Sequence, residues 1–177
     1  MRRPWNSVIV VAAAMVLLGT SWAVSAERRG DAASDAALER TREKVRMLDD
    51  IYKTAIVLIT ENYVEDENSF PAGAAAVAWF DAIKKKGWAD TRLVDATGNP
   101  IDEDNAPRDR FEKNAVSHLK AGHDYYEQIV EKSGRRYLRA ATPVPVVLQK
   151  CTMCHEHYKN VKPGQPIGTL SYQIEIK

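Results

Sequence analysis

The sequence predicts an α+β fold, an antiparallel sheet backed by helices. Three observations predict it. Apolar residues recur every three or four positions from Leu38 to Tyr63. The period falls to two in the C-terminal third, and turn-forming residues separate the two regimes.

The first residues read as a leader. Arg2 and Arg3 precede the uncharged run "VIVVAAAMVLLG", and "TSWAVSA" places small residues ahead of "ERRGD". This is the pattern of a secretory signal peptide, residues 1–26, cleaved after Ala26. An uncleaved anchor is the alternative, although the run is short beside the about 20 residues a span needs. Residues 27–37 are polar and alanine-rich and read as a mobile leader into a single domain, residues 38–177. Loss of Arg2 and Arg3 takes the formal charge from +1 to −1. So even a balance favours neither nucleic acid nor an anionic membrane. The expected product is exported to the periplasm and soluble after cleavage.

In the domain, Leu38, Val45, Leu48, Tyr52, Ala55, Ile56, Ile59 and Tyr63 form one stripe of a long N-terminal helix. Pro71 opens a second helix, "PAGAAAVAWFDAIKKKG", and Gly87 ends it. "TRLVDATGNP" reads as a short strand and a turn, and "DEDNAP" as a loop. A third helix is expected over 109–121, stopped by Gly122. "YYEQIVEKSGRRYLRAATPV" reads as a hairpin turning at Ser133-Gly134, with Pro143 and Pro145 stopping its second strand. "VVLQKCTMCHEHYK" has helical character, and "IGTLSYQIEIK" alternates as a half-buried last strand.

Both cysteines and two of the four histidines lie in "KCTMCHEHY". Cys151, Cys154 and His155 fit C-x-x-C-H, the attachment signature of one covalent haem c. Each thiol adds to a vinyl group, and the following imidazole faces the iron, so His155 is the expected proximal ligand. Attachment of this kind takes place outside the cytoplasm, which agrees with the leader. A zinc site needs two ligands beyond the cysteines, of which His157 supplies one. A redox dithiol is expected near a βαβ pattern, which is missing here. A Cys151–Cys154 disulfide stays open as the default for an exported pair.

The chain resembles a family of exported haem-binding domains of PAS-like fold, long catalogued as a domain of unknown function. The likeness runs from Val45 to Lys177. It rests on "GNPIDEDNAPRDRFE", with Asn105, Pro107, Phe111 and Glu112, on "RRYLRAATPVPV", on "CTMCH" and on "IGTLSY". The resemblance implies a sheet of about five strands with flanking helices and a c-type haem against it. It implies no established reaction; electron transfer and redox or small-gas sensing are the usual proposals.

The distal ligand decides whether the iron binds anything else. His118 and His123, an open or water-bound site and, more weakly, Met47 are the candidates, while His157 sits too close to His155 to reach the other face. Trp79, Phe80, Phe111, Tyr137 and Leu138 are candidate pocket walls, each equally suited to an ordinary core. Arg139 and then Arg92 are candidate propionate partners. The expected function is a non-enzymatic mono-haem c protein, an electron carrier or a sensor of redox state or a diatomic gas. Its partner is a redox protein or a separate signalling protein. The alternative is a small haem enzyme of peroxidase or nitrogen-oxide reductase type, needing an open iron with acid and base groups over it. A haem-free disulfide module is the third reading.

Overall fold

The computed structural model describes residues 7–66, 71–152, 156–162 and 164–177. Helix α1 spans Ser7–Tyr63, α2 Ala72–Lys85 and α3 Arg110–Lys120. The strands are β1 Asp90–Asp95, β2 Tyr126–Lys132, β3 Arg135–Pro145 and β4 Pro166–Glu175. Short 3₁₀ turns cover Glu103–Asn105, Gln149–Thr152 and Glu156–Asn160. The chain divides into two compact units, Met1–Glu39 and Arg40–Lys177. The first holds the N-terminal part of α1, whose helical backbone includes residues 27–37, the expected mobile leader. Among the described residues no helix is long and apolar enough to cross a membrane.

The second unit is α+β and PAS-like. Its antiparallel sheet has the order β1-β4-β3-β2, four strands where the resemblance implies about five. Between β1 and α3 the chain makes turns instead of a strand. Pro100 and Pro107 there lack the N–H that a ladder needs, and the Asp102 side chain accepts the Asp104 N–H at 2.9 Å to start a 3₁₀ turn.

Register and alternation assign the two faces of the sheet. Tyr172, Thr142 and Glu127 point to α1: Asp49 Oδ1 accepts the Tyr172 hydroxyl at 2.9 Å and the Thr142 hydroxyl at 2.5 Å. Arg42 Nε donates to both Glu127 oxygens at 3.1 Å. The α2 helix joins this side, since Tyr52 meets Trp79 and Phe80 edge-on at 5.2 and 4.8 Å between ring centroids. The opposite face receives α3, where Phe111, Ala115 and Leu119 bury Ala141 with Tyr126 against them. Covered on both sides, β4 is buried along most of its length, so its polar Thr169 and Ser171 are also interior.

Local signals explain the element ends. Asp109 caps α3 by accepting the Glu112 N–H at 3.0 Å. The N–H groups of Gly87 and Gly122 close α2 and α3 on Lys84 and Leu119 carbonyls. Ser133 and Gly134 both have positive φ, 53° and 71°, as a two-residue type I′ hairpin turn requires. β3 continues through both prolines to Pro145, past the point where they were expected to stop it. β2 begins at Tyr126, opposite Ala141, so one edge of β3 is open beyond that residue, and proline is tolerated at such an edge.

Candidate functional site

The segment joining β3 to β4 carries the cysteine motif. Its described residues include two 3₁₀ turns, Gln149–Thr152 and Glu156–Asn160. In the first, the Cys151 N–H bonds to the Leu148 carbonyl at 3.0 Å, and the Thr152 hydroxyl donates to the Gln149 carbonyl at 2.8 Å. Lys150 Nζ donates at 2.8 Å to the carbonyls of Glu61 and Val64. A lysine thus satisfies orphan acceptors at the end of α1 and complements its dipole. The residue before Cys151 is thereby fastened to a helix almost ninety positions away in sequence.

Cys151 is half-buried and lies near the Tyr158 phenol. Burial pushes the Tyr158 hydroxyl up to about 12, and the charge of nearby Asp95 adds to the rise. Asp95 ends β1 and is buried, accepting the Thr97 hydroxyl at 2.7 Å and the Gly98 N–H at 2.6 Å. His157 packs edge-on against Tyr158, with centroids 4.5 Å apart. Met153, Cys154 and His155 lie outside the described residues, and with them the expected second thioether and the proximal ligand.

Strand direction places the candidate distal histidines at the same end of the sheet. β3 runs into the motif segment, and antiparallel β2 begins at that end, directly after α3 and its loop. The His118 and His123 rings stack there at 3.8 Å, with His118 5.2 Å from the Tyr126 ring. Lys120 Nζ closes the end of α3 onto the Ala96 carbonyl at 3.0 Å.

The candidate pocket walls do not form one pocket. Trp79, Phe80 and Leu138 belong to the α1 side, where Leu138 is fully buried and Phe80 nearly so. Phe111 and Arg139 belong to the α3 side, together with Tyr137, which alternates with Leu138 along β3. The sheet separates the two groups. Arg139 lies with its guanidinium 4.2 Å above the Phe111 ring and Nη1 2.6 Å from Asp109 Oδ2. It borders an open cleft of ≈ 450 Å³ between α3 and β2. Arg92 Nη1 meets both Glu112 oxygens at 2.5 Å, and Nη2 donates to the Asp104 carbonyl at 2.7 Å. Both arginines hold the start of α3. Tyr158, Asp95 and Lys150 were not expected at the site. Nothing in their local spacing marks them, because the chain connection alone brings them together.

The fold and the motif segment define the class: a PAS-like α+β domain with its cysteine motif in the last strand connection. Residues 28–171 match the model of the family described as Tll0287-like: Tll0287, and the chain belongs to that family. No curated protein matches the chain.

Proposed function

We propose that this is an exported, periplasmic mono-haem c protein, an electron carrier or a haem module sensing redox state or a diatomic gas. The observation that carries the reading is the sequence Cys151-Thr152-Met153-Cys154-His155. The donor set fits the group: two thiols and an adjacent imidazole are the chemistry that haem c requires. Cys151 also occupies a short helical turn in which the preceding Lys150 is tied to α1. The residues that would hold the haem are Cys151 and Cys154 through thioethers and His155 on the iron. When bound, the haem supplies a one-electron couple whose potential depends on axial ligation and burial. Around it, Lys150 holds the segment against α1, and Tyr158 presents a phenol that stays protonated through neutral pH.

The partner on this reading is a redox protein or a separate signalling protein. The alternative, a small haem enzyme, draws on the histidines at the same end of the sheet. The test is expression in a host competent for haem c maturation, followed by spectra of both oxidation states with and without carbon monoxide. Covalent haem retained in denaturant supports the proposal, and Cys151→Ser with Cys154→Ser abolishes it. Protein carrying a Cys151–Cys154 disulfide and no haem in that host would sink it. Low-spin spectra indifferent to carbon monoxide select electron transfer; a high-spin iron that binds it selects gas sensing or the enzyme. His118→Ala and His123→Ala then read out the sixth position.

A further inference from the structure

Helix α1 carries a second apolar stripe, set away from the buried one of Val45 and Tyr52. Met47, Ile51 and Leu58 are 55 %, 45 % and 52 % exposed. With Thr54 they follow steps of four, three and four, the spacing of a helix-pairing seam. Ile51, Thr54, Ala55 and Leu58 line a shallow groove of ≈ 350 Å³, with the exposed Asp50 at its border. Large apolar side chains scattered singly over a surface need no explanation, but an aligned row does. The row also has polarity. One step towards the N-terminus is Lys44, and one step beyond Leu58 is Glu61, both exposed.

We propose that this seam pairs with the same seam of a second copy, antiparallel, about a two-fold axis passing between Ile51 and Thr54. A two-fold pairing is self-complementary by construction. This register sets Met47 against Leu58 of the second copy and Ile51 against its Thr54. Lys44 of each chain then faces Glu61 of the other, so each end of the apolar row is closed by opposite charges. A parallel pair would instead set Lys44 beside Lys44 and Glu61 beside Glu61. The charge order therefore selects both the occupant and its direction. From Lys44 to Glu61 the seam runs about 26 Å along a single helix face. A contact limited to one helix face is a small interface, so the dimer is expected to be reversible. It does not rest on the haem reading, and it places Met47 in the seam instead of on the iron.

Sedimentation velocity on the exported protein, from about 1 μM to about 1 mM, tests it. The wild-type chain is expected to shift from monomer to dimer over this range. Ile51→Lys is expected to weaken the dimer by about tenfold or more, an effect of about 1.4 kcal/mol. Its thermal unfolding should be unchanged, since the site is exposed. Lys44→Glu and Glu61→Lys should each weaken the dimer, and the double variant should restore it. A monomer at every concentration would overturn the proposal, as would a dimer indifferent to Ile51→Lys. A dimer sensitive to Ile51→Lys but to neither charge change would overturn the antiparallel register.

Discussion

Glu112 is a carboxylate only 3 % exposed, and its neighbours account for that burial. Its oxygens accept Arg92 Nη1 at 2.5 Å and the Arg108 N–H at 2.8 Å, while its own N–H is capped by Asp109. The Asp-x-x-Glu spacing at the head of α3 is legible in the sequence as a helix start. Arg92 is not, because it comes from β1, and the sequence offers it only as a candidate propionate partner after Arg139. The resemblance singles out Glu112 without giving its role; a buried tie between α3 and β1 is one the fold supplies. Glu112→Ala leaves a half-buried guanidinium and a backbone N–H without their acceptor, at a cost of about 2–4 kcal/mol. Urea unfolding should show that loss as a lower midpoint with an unchanged slope. Asp49 is the counterpart on the other face, binding Tyr172, Thr142 and Lys53. No periodic pattern distinguishes it from the exposed Asp50 beside it.

At the scale of elements, periodicity located the helices and strands because burial imposes it. The inward stripe of α1, apart from Tyr63 at 77 % exposed, and the hairpin with its Ser-Gly tip follow from one face packing on the core, whereas β4, expected to be half-buried, is covered on both faces. What periodicity does not encode is partner order: β4 inserts between β1 and β3, a consequence of chain closure, not of local pattern. The motif segment resists for a related reason. Its apolar and polar residues mix helical spacing with tethers to α1, and its described residues include two 3₁₀ turns. The hairpin tip gives a direct test. Ser133 holds φ at 53°, a conformation that costs most L-residues about 1–2 kcal/mol and that asparagine adopts more readily. The type I′ turn favours Asn-Gly. Ser133→Asn is expected to stabilise the second unit by about 0.5 kcal/mol, read as a higher urea midpoint. Ser133→Val, a branched residue at positive φ, should lower it.

For the molecule as a whole, the packing of α1 on the sheet depends on ionised carboxylates, which makes the stability of the second unit pH-dependent. Glu127 on the edge strand β2 is held below the usual glutamate range. The Arg42 hydrogen bonds are the main cause, opposed by burial and aided by the Tyr125 hydroxyl. Asp109 is also held low: burial works against its charge, but hydrogen bonds and charge from Arg139 outweigh it. A carboxylate whose folded pKa is depressed releases its proton more readily in the native chain than in the unfolded one. Its contribution is therefore complete above the unfolded value, about 4.3 for glutamate, and drains away as pH falls through the lower folded value. Both groups act in the same direction, so stability should fall steadily with acid below about pH 4.5. Glu127 joins α1 to the far edge of the sheet, whereas Asp109 acts within the α3 side and is half exposed. Glu127 should therefore dominate the acid limb. Glu127→Gln keeps the shape but removes the charge that the Arg42 fork recognises. At pH 7 the variant should lose about 1–2 kcal/mol, and its stability should vary less than wild type between pH 5 and pH 3. Urea unfolding across that range measures both effects. An acid limb of unchanged depth in Glu127→Gln would place the titrating group elsewhere.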